Sequence, residues 1–187
     1  MLYKMRKSIV NRVAISLFKT IYPCKPVIED IAYDKLNFEG IKQLYNHLKT
    51  IEPNIDCFIH IGSGRGYICM YMAIQQNINV VLGVEPLKCL HDDAEDIKLD
   101  LKSENSDKVI LLNKSILHVN LKKYSKNAFV WLGTFHLKDK NDIFKKLKID
   151  LPSGALICSL YRFDINIGEL LESVTISDSL EVYIYRL

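Results

Sequence analysis

Phe58-Ile59-His60-Ile61-Gly62-Ser63-Gly64-Arg65-Gly66-Tyr67 is the stretch on which the fold turns. A short apolar run enters G-x-G-x-G, and a helical pattern follows at once, over about residues 66–76. The run reads as a buried strand, Cys57-Phe58-Ile59-His60-Ile61. Glycines at 62, 64 and 66 let the backbone turn sharply and approach a ligand closely, because no Cβ intervenes. The start of the following helix adds N–H groups that have no partner within the helix. The spacing also excludes a ligand. A dinucleotide fingerprint, G-x-G-x-x-G, would need its third glycine where Tyr67 stands.

Nineteen residues beyond Gly66, the second apolar strand, Val80-Val81-Leu82-Gly83-Val84-Glu85, ends in an acid before Pro86. A carboxylate in that place can accept hydrogen bonds from both ribose hydroxyls of a nucleoside. Each such charge-assisted bond is worth about 1.5–3 kcal/mol. The competing reading is a surface acid at a strand end. The glycine loop and Glu85 together favour the nucleoside.

The rest of the chain repeats the strand–helix alternation. A helix over residues 34–50 precedes the first strand, and a charged helix covers about 88–103. Val109–Leu112 and Ala128–Leu132 read as the third and fourth strands, followed by a helix over about 139–149. Pro152-Ser153-Gly154 is a turn, and Ala155–Leu160 is a fifth strand. The end reads as a hairpin, Ser173–Ile176 and Glu181–Arg186 about a turn at Ser177-Asp178-Ser179. Strands that are apolar on both faces and separated by helices imply a mostly parallel sheet. The expected fold is therefore α/β, Rossmann-like, with helices on both faces and a C-terminal antiparallel hairpin.

The 187 residues suit one such domain, residues 23–187, preceded by a basic amphipathic helix within 1–22. In that helix Ile9, Val10, Val13, Ala14, Leu17, Phe18 and Ile21 share a face opposite Lys7, Arg12 and Lys19. Residues 1–28 carry six cations and no acid, so the overall +3 leaves −3 on the body. Such an arm has three readings: a helix docked on the domain, a contact for an anionic partner, or a mitochondrial transit segment. No apolar run approaches the roughly 18 residues of a membrane span. The five cysteines are scattered and form no C-x-x-C, which argues against a disulfide framework or a zinc site. They fit a reducing, intracellular setting, cytoplasmic or nuclear. No histidine has metal-ligand spacing, so no metal is expected.

Ile61-Gly62-Ser63-Gly64-Arg65-Gly66 together with Gly83-Val84-Glu85 resembles class I S-adenosylmethionine-dependent methyltransferases. A narrower likeness is to histone lysine methyltransferases of the disruptor-of-telomeric-silencing type. Those carry a strand ending in Asp-Leu-Gly-Ser-Gly-x-Gly, then Gly-Val-Glu. Tyr33-Asp34-Lys35-Leu36-Asn37-Phe38-Glu39 matches their upstream Tyr-Gly-Glu segment, and Trp131-Leu132-Gly133-Thr134-Phe135 their Asn-Asn-Phe strand end. The resemblance spans about residues 33–163. It implies S-adenosylmethionine as cofactor, held by His60, Gly62, Ser63, Gly64, Gly66, Glu85 and Ser115. It implies catalytic positions at Thr134 and Phe135, and a protein lysine or nucleic acid as acceptor. Phe135, Trp131 and Tyr161 become candidates for an aromatic acceptor channel, with core packing the stronger reading for Trp131.

Five positions depart from that pattern. His60 stands at the strand-end Asp, Lys35 at the upstream Glu, Ser115 at the acid expected to meet the adenine amino group, and Gly133-Thr134 at the two asparagines. Each charge-assisted bond lost to a cationic cofactor would weaken binding by about 1 kcal/mol or more. Two expectations therefore stand: an active methyltransferase, or an inactive domain of the same fold used for binding or scaffolding.

Overall fold

The computed structural model describes residues 38–124, 127–133, 140–163, 168–176 and 180–187. The basic N-terminal helix, the segment 33–37, Thr134, Phe135 and the hairpin turn lie outside them.

The elements run α1 (Phe38–Ile51), β1 (Cys57–Ile61), α2 (Tyr67–Ala73), β2 (Val80–Val84), α3 (Lys88–Lys98), α4 (Ser103–Ser106) and β3 (Val109–Leu112). Two 3₁₀ turns, Ile116–His118 and Leu121–Lys123, lead to β4 (Ala128–Leu132), α5 (Lys140–Asp150), β5 (Leu156–Ser159), β6 (Glu169–Ile176) and β7 (Leu180–Arg186). They build one seven-stranded sheet of order β3-β2-β1-β4-β5-β7-β6. The pairs β1–β2, β1–β4, β2–β3 and β4–β5 are parallel. β7 runs antiparallel to both β5 and β6. The hairpin is thus an extension of the sheet as expected, with its second strand inserted beside β5 and its first forming the edge.

Alternation along the strands builds two apolar layers. Phe58, Val81, Phe129, Trp131, Cys158 and Ile184 face α1, α2 and α3, meeting Leu44, Leu48, Cys69, Met72 and Ile97. Ile59, Leu82, Val130 and Ile157 face the other way, against Ile143, Phe144 and Leu147 of α5 and the 3₁₀ residues Ile116 and Leu121. Phe58 and Phe129 are fully buried, with ring centroids 5.0 Å apart across β1 and β4. Trp131 is 2 % exposed within the first layer, so it packs the core and does not line a channel.

The five parallel strands lie where the sequence places them, to within a residue or two at their ends. The charged helix does not run unbroken over 88–103. The amides of Asp100 and Leu101 donate to Ile97 and Lys98 carbonyls three residues back, and Lys102 is extended. Those bonds tighten the last turn, and Leu101 turns in against the core while Leu99 is left in solvent. β6 begins at Glu169, earlier than the expected Ser173, with a bulge between Leu170 and Glu172. Its exposed, mixed pattern hides the alternation that a half-buried strand would show.

Candidate functional site

The strand order reverses direction between β1 and β4, with β2 on one side and β5 on the other. In open parallel sheets ligands bind at such a switch point, beyond the C-terminal ends of the strands. The glycine loop grows from the end of β1 at this place, and Gly133 follows the end of β4, its amide donating to the Ile61 carbonyl at 2.9 Å.

Gly62, Gly64 and Gly66 all have positive φ, at 74°, 53° and 75°. This left-handed backbone is strained for residues with a Cβ, which explains three glycines in five positions. The amides of Gly62 and Ser63 both donate to the Val84 carbonyl, at 2.9 and 3.1 Å, folding the loop over the end of β2. A Cβ on Gly66 would come within 3.1 Å of the Ala94 Cβ, so α2 and α3 touch there. Gly83 serves the same purpose in β2. A Cβ there would meet Leu111 at 2.7 Å, Ser63 Oγ at 3.0 Å and Cys69 Sγ at 3.1 Å. The Ser63 side chain is therefore buried on β2, supporting the loop from below.

Glu85 turns in toward this loop and is 6 % exposed. Its Oε2 accepts the Gly64 amide at 2.8 Å, and its Oε1 accepts the Leu87 amide at 2.9 Å. A carboxylate offers about four acceptor positions, so each oxygen keeps one for a further donor. Leu87 itself is 49 % exposed, an apolar surface directly after the acid.

Two supports were not legible beforehand. Arg65 Nε donates to Asp93 Oδ2 at 2.9 Å, pinning the loop to α3. Asn113 Nδ2 donates to the carbonyls of Glu85 and Pro86 at 2.9 and 3.1 Å, fixing the backbone that carries the acid. Both are long-range pairs between residues of ordinary surface type. An Asn directly after an apolar strand is the one hint the sequence offered.

His60 is brought under the loop and is 4 % exposed. Its ring lies 6.0 Å from that of Phe58, and its Nδ1 lies 3.9 Å from Cys69 Sγ on α2. Burial among apolar groups pushes its pKa down to about 3, so the imidazole is neutral. Burial likewise pushes the Cys57 and Cys69 thiols up to about 12 and Cys158 well up, which leaves them protonated and unreactive. Ser115 is turned to a local task. It caps the first 3₁₀ turn, its Oγ accepting the Leu117 amide at 3.4 Å. Gly133 has no room for the asparagine of the resembled family. A Cβ there would stand 2.9 Å from Gly62 O, 3.0 Å from Ile61 O and 3.2 Å from His60 Nε2. Tyr161, two residues past β5, is 48 % exposed, and its amide donates to Ser159 Oγ.

Among the described residues no cluster of three His, Cys, Asp or Glu side chains could hold a metal. Among them, too, no helix is long and apolar enough to cross a membrane.

Solved structures of methyltransferases share the fold of this chain. The methyltransferase domain of the bacterial protein CtHen1 superposes with a TM-score of 0.63 at 14 % identity, over 81 % of this chain and 100 % of that one. The putative methyltransferase yhhF from Escherichia coli gives 0.60 at 15 % identity, over 80 % and 84 %. The glycopeptide N-methyltransferase MtfA, complexed with S-adenosylmethionine, gives 0.54 at 12 % identity, over 80 % and 67 %. At these identities the likeness is one of fold, and it does not extend to the histone-lysine subfamily. No protein-family model and no curated protein matches the sequence.

Proposed function

We propose that this chain is an S-adenosylmethionine-dependent methyltransferase whose cofactor lies across Gly62–Gly66 with its ribose on Glu85. One observation carries this reading: the Glu85 carboxylate is turned onto the Gly64 amide, with acceptor capacity left on both oxygens. A strand-end acid of purely solvating role would point outward. The left-handed glycines at 62 and 64 keep the loop backbone free of side chains, which fits a close-lying ligand. Leu87 is suited to cover one face of an adenine.

The bound cofactor would supply an activated methyl group, so the protein's own task is placement. The loop and Glu85 orient the nucleoside; Asn113 and the Arg65–Asp93 pair keep both from shifting. The acceptor in this reading is a protein lysine or a nucleic acid, with Thr134 and Phe135 as the catalytic positions that the resemblance implies. The basic segment 1–22 would attract an anionic partner.

A second reading has its own support. His60 brings no anion to a cationic ligand, and the Ser115 oxygen accepts the Leu117 amide as a cap. A domain that binds the demethylated product and serves as a scaffold would look the same. Calorimetric titration with S-adenosylmethionine and S-adenosylhomocysteine tests the cofactor site, and binding should vanish in Glu85→Ala. Labelled methyl transfer to nucleosomes, RNA and free protein then separates enzyme from scaffold. A wild-type protein that binds neither compound would overturn both readings.

A further inference from the structure

Charge is unevenly spread over the body of this chain. Residues 29–187 total −3, yet residues 120–150 alone hold eight lysines against three acids, +5, which leaves −8 elsewhere. The fold gathers part of that excess on one surface. α5 buries Ile143, Phe144 and Leu147 against the sheet and the 3₁₀ turns. Side chains advance by a fixed angle along a helix, so Lys145, Lys146 and Lys148 of its last two turns fall on the outward half. Asp150 Oδ2 accepts the Leu121 amide at 3.1 Å and Lys146 Nζ at 2.8 Å, which ties the end of α5 to the second 3₁₀ turn. Lys122 and Lys123 of that turn are exposed and join the same surface.

These five lysines face two described acids. Asp150 is taken up by its two bonds. Asp142 meets Lys145 at 3.9 Å, and both are well exposed, so water and salt screen that pair. Beside them Ile149 is 68 % exposed. Like charges held this close repel one another, and a polyanion relieves the repulsion. A lysine-bearing peptide would add to it. An anionic bilayer would match the charge, but one isoleucine among lysines offers little apolar surface to insert.

α5 also gives the surface reach. It starts at Lys140, beyond the C-terminal end of β4 and so on the crevice side, and ends at Asp150, before the start of β5 on the opposite side of the sheet. Its 11 residues span about 16 Å. One strand of a duplex advances about 3.4 Å per phosphate, so about five phosphates would follow the helix from its lysine-rich end to the crevice.

We propose that the lysine-rich end of α5 and the second 3₁₀ turn bind the phosphodiester backbone of a nucleic acid. This deepens the methyltransferase reading above and rests on it: of the two acceptor classes, it selects nucleic acid.

Fluorescence anisotropy of the full-length chain with a labelled single-stranded RNA and a labelled DNA duplex, over a range of salt, tests this. The variant carries Lys122→Gln, Lys123→Gln, Lys145→Gln and Lys148→Gln together, and keeps Lys146 because it holds Asp150. Thermal melting should be unchanged. For a single strand each phosphate contact adds about 0.7 to the slope of log K against log salt, so the four losses should lower the slope by about 3 and the affinity by about tenfold or more. Unchanged slope and affinity would overturn the proposal and assign the binding to segment 1–22. Wild type that binds neither nucleic acid would overturn it too, and its binding to vesicles of phosphatidylserine and phosphatidylcholine would then assign the surface to a membrane. Methyl transfer to free protein alone would overturn the choice of acceptor. Wild type that binds nucleic acid through these lysines, yet binds no adenosine compound, would bear out the surface and overturn the methyltransferase reading beneath it.

Discussion

The Glu85 carboxylate and the Gly64 amide, 21 residues apart in sequence, meet at 2.8 Å in a buried contact. That bond joins the end of β2 to the loop after β1 and makes the acid a support of the loop; in the proposed function it is also the group that meets the ribose. Substitution separates the two roles. Glu85→Gln keeps one oxygen acceptor but sets an NH₂ group against either the Gly64 or the Leu87 amide. One buried donor is then unsatisfied, at a cost of about 1–3 kcal/mol. Melting should fall by several degrees, and affinity for adenosine compounds should drop by about tenfold or more. A variant as stable as wild type that still binds normally would mean the acid grips neither the loop nor a sugar.

Gly83→Ala tests the packing beneath the loop. A Cβ at Gly83 has Leu111 at 2.7 Å and the Ser63 and Cys69 side chains at 3.0 and 3.1 Å. Leu111 is flexible at its tip, while Ser63 and Cys69 are held by loop and helix. Overpacking of this kind costs about 1–3 kcal/mol. Urea denaturation should show that loss with an unchanged slope. Gly154→Ala is the useful contrast. Nothing lies within 4 Å of its Cβ, so any loss there comes from its φ of 99° and not from crowding.

The acid limb of stability should carry the signature of His60. Its folded pKa, about 3, is below the unfolded value of 6.5. The unfolded chain therefore binds the extra proton first. The stability contributed by the neutral ring is complete above about pH 6.5 and is lost as pH falls toward 3. Between pH 6.5 and 5 few carboxylates titrate, so the slope there, at most about 1.4 kcal/mol per pH unit, belongs mainly to histidines. His60→Gln should flatten that part of the curve. A wild-type profile already flat between pH 6.5 and 5 would show that the ring protonates in place.

What the sequence disclosed and what it withheld have physical causes. β1, β2 and β4 are short apolar runs buried on both faces, and β3 is an equally apolar run at the sheet edge; their identity needs no knowledge of partners. Glu85 was readable because strand, glycine loop and acid lie at a fixed spacing. The capture of Ser115 by its own 3₁₀ turn and the crowding of His60 against Gly133 were not. Each depends on which strand ends up adjacent, and adjacency between β1 and β4 is set some 70 residues apart in the chain, with Ile61 paired to Leu132. Trp131 illustrates the same limit. Its position in an apolar strand allowed either face, and only the packing of α1 and α2 shows that it fills the core.

The ion pair of Arg65 and Asp93 permits the last test. The partners are 31 % and 13 % exposed and bonded at 2.9 Å, so the pair is shielded more than a surface bridge yet not fully desolvated. Its expected worth is about 1 kcal/mol, the upper end for exposed pairs. Its place matters more than its strength, because Arg65 lies between two left-handed glycines and Asp93 is its anchor on α3. Arg65→Gln and Asp93→Asn should each loosen the loop and weaken adenosine-ligand binding by about threefold to tenfold. The double variant should be little worse than either single one, since both remove the same contact. Full additivity of the two losses would show that Arg65 and Asp93 act separately, and that the loop is held by Glu85 and its glycine geometry without the bridge.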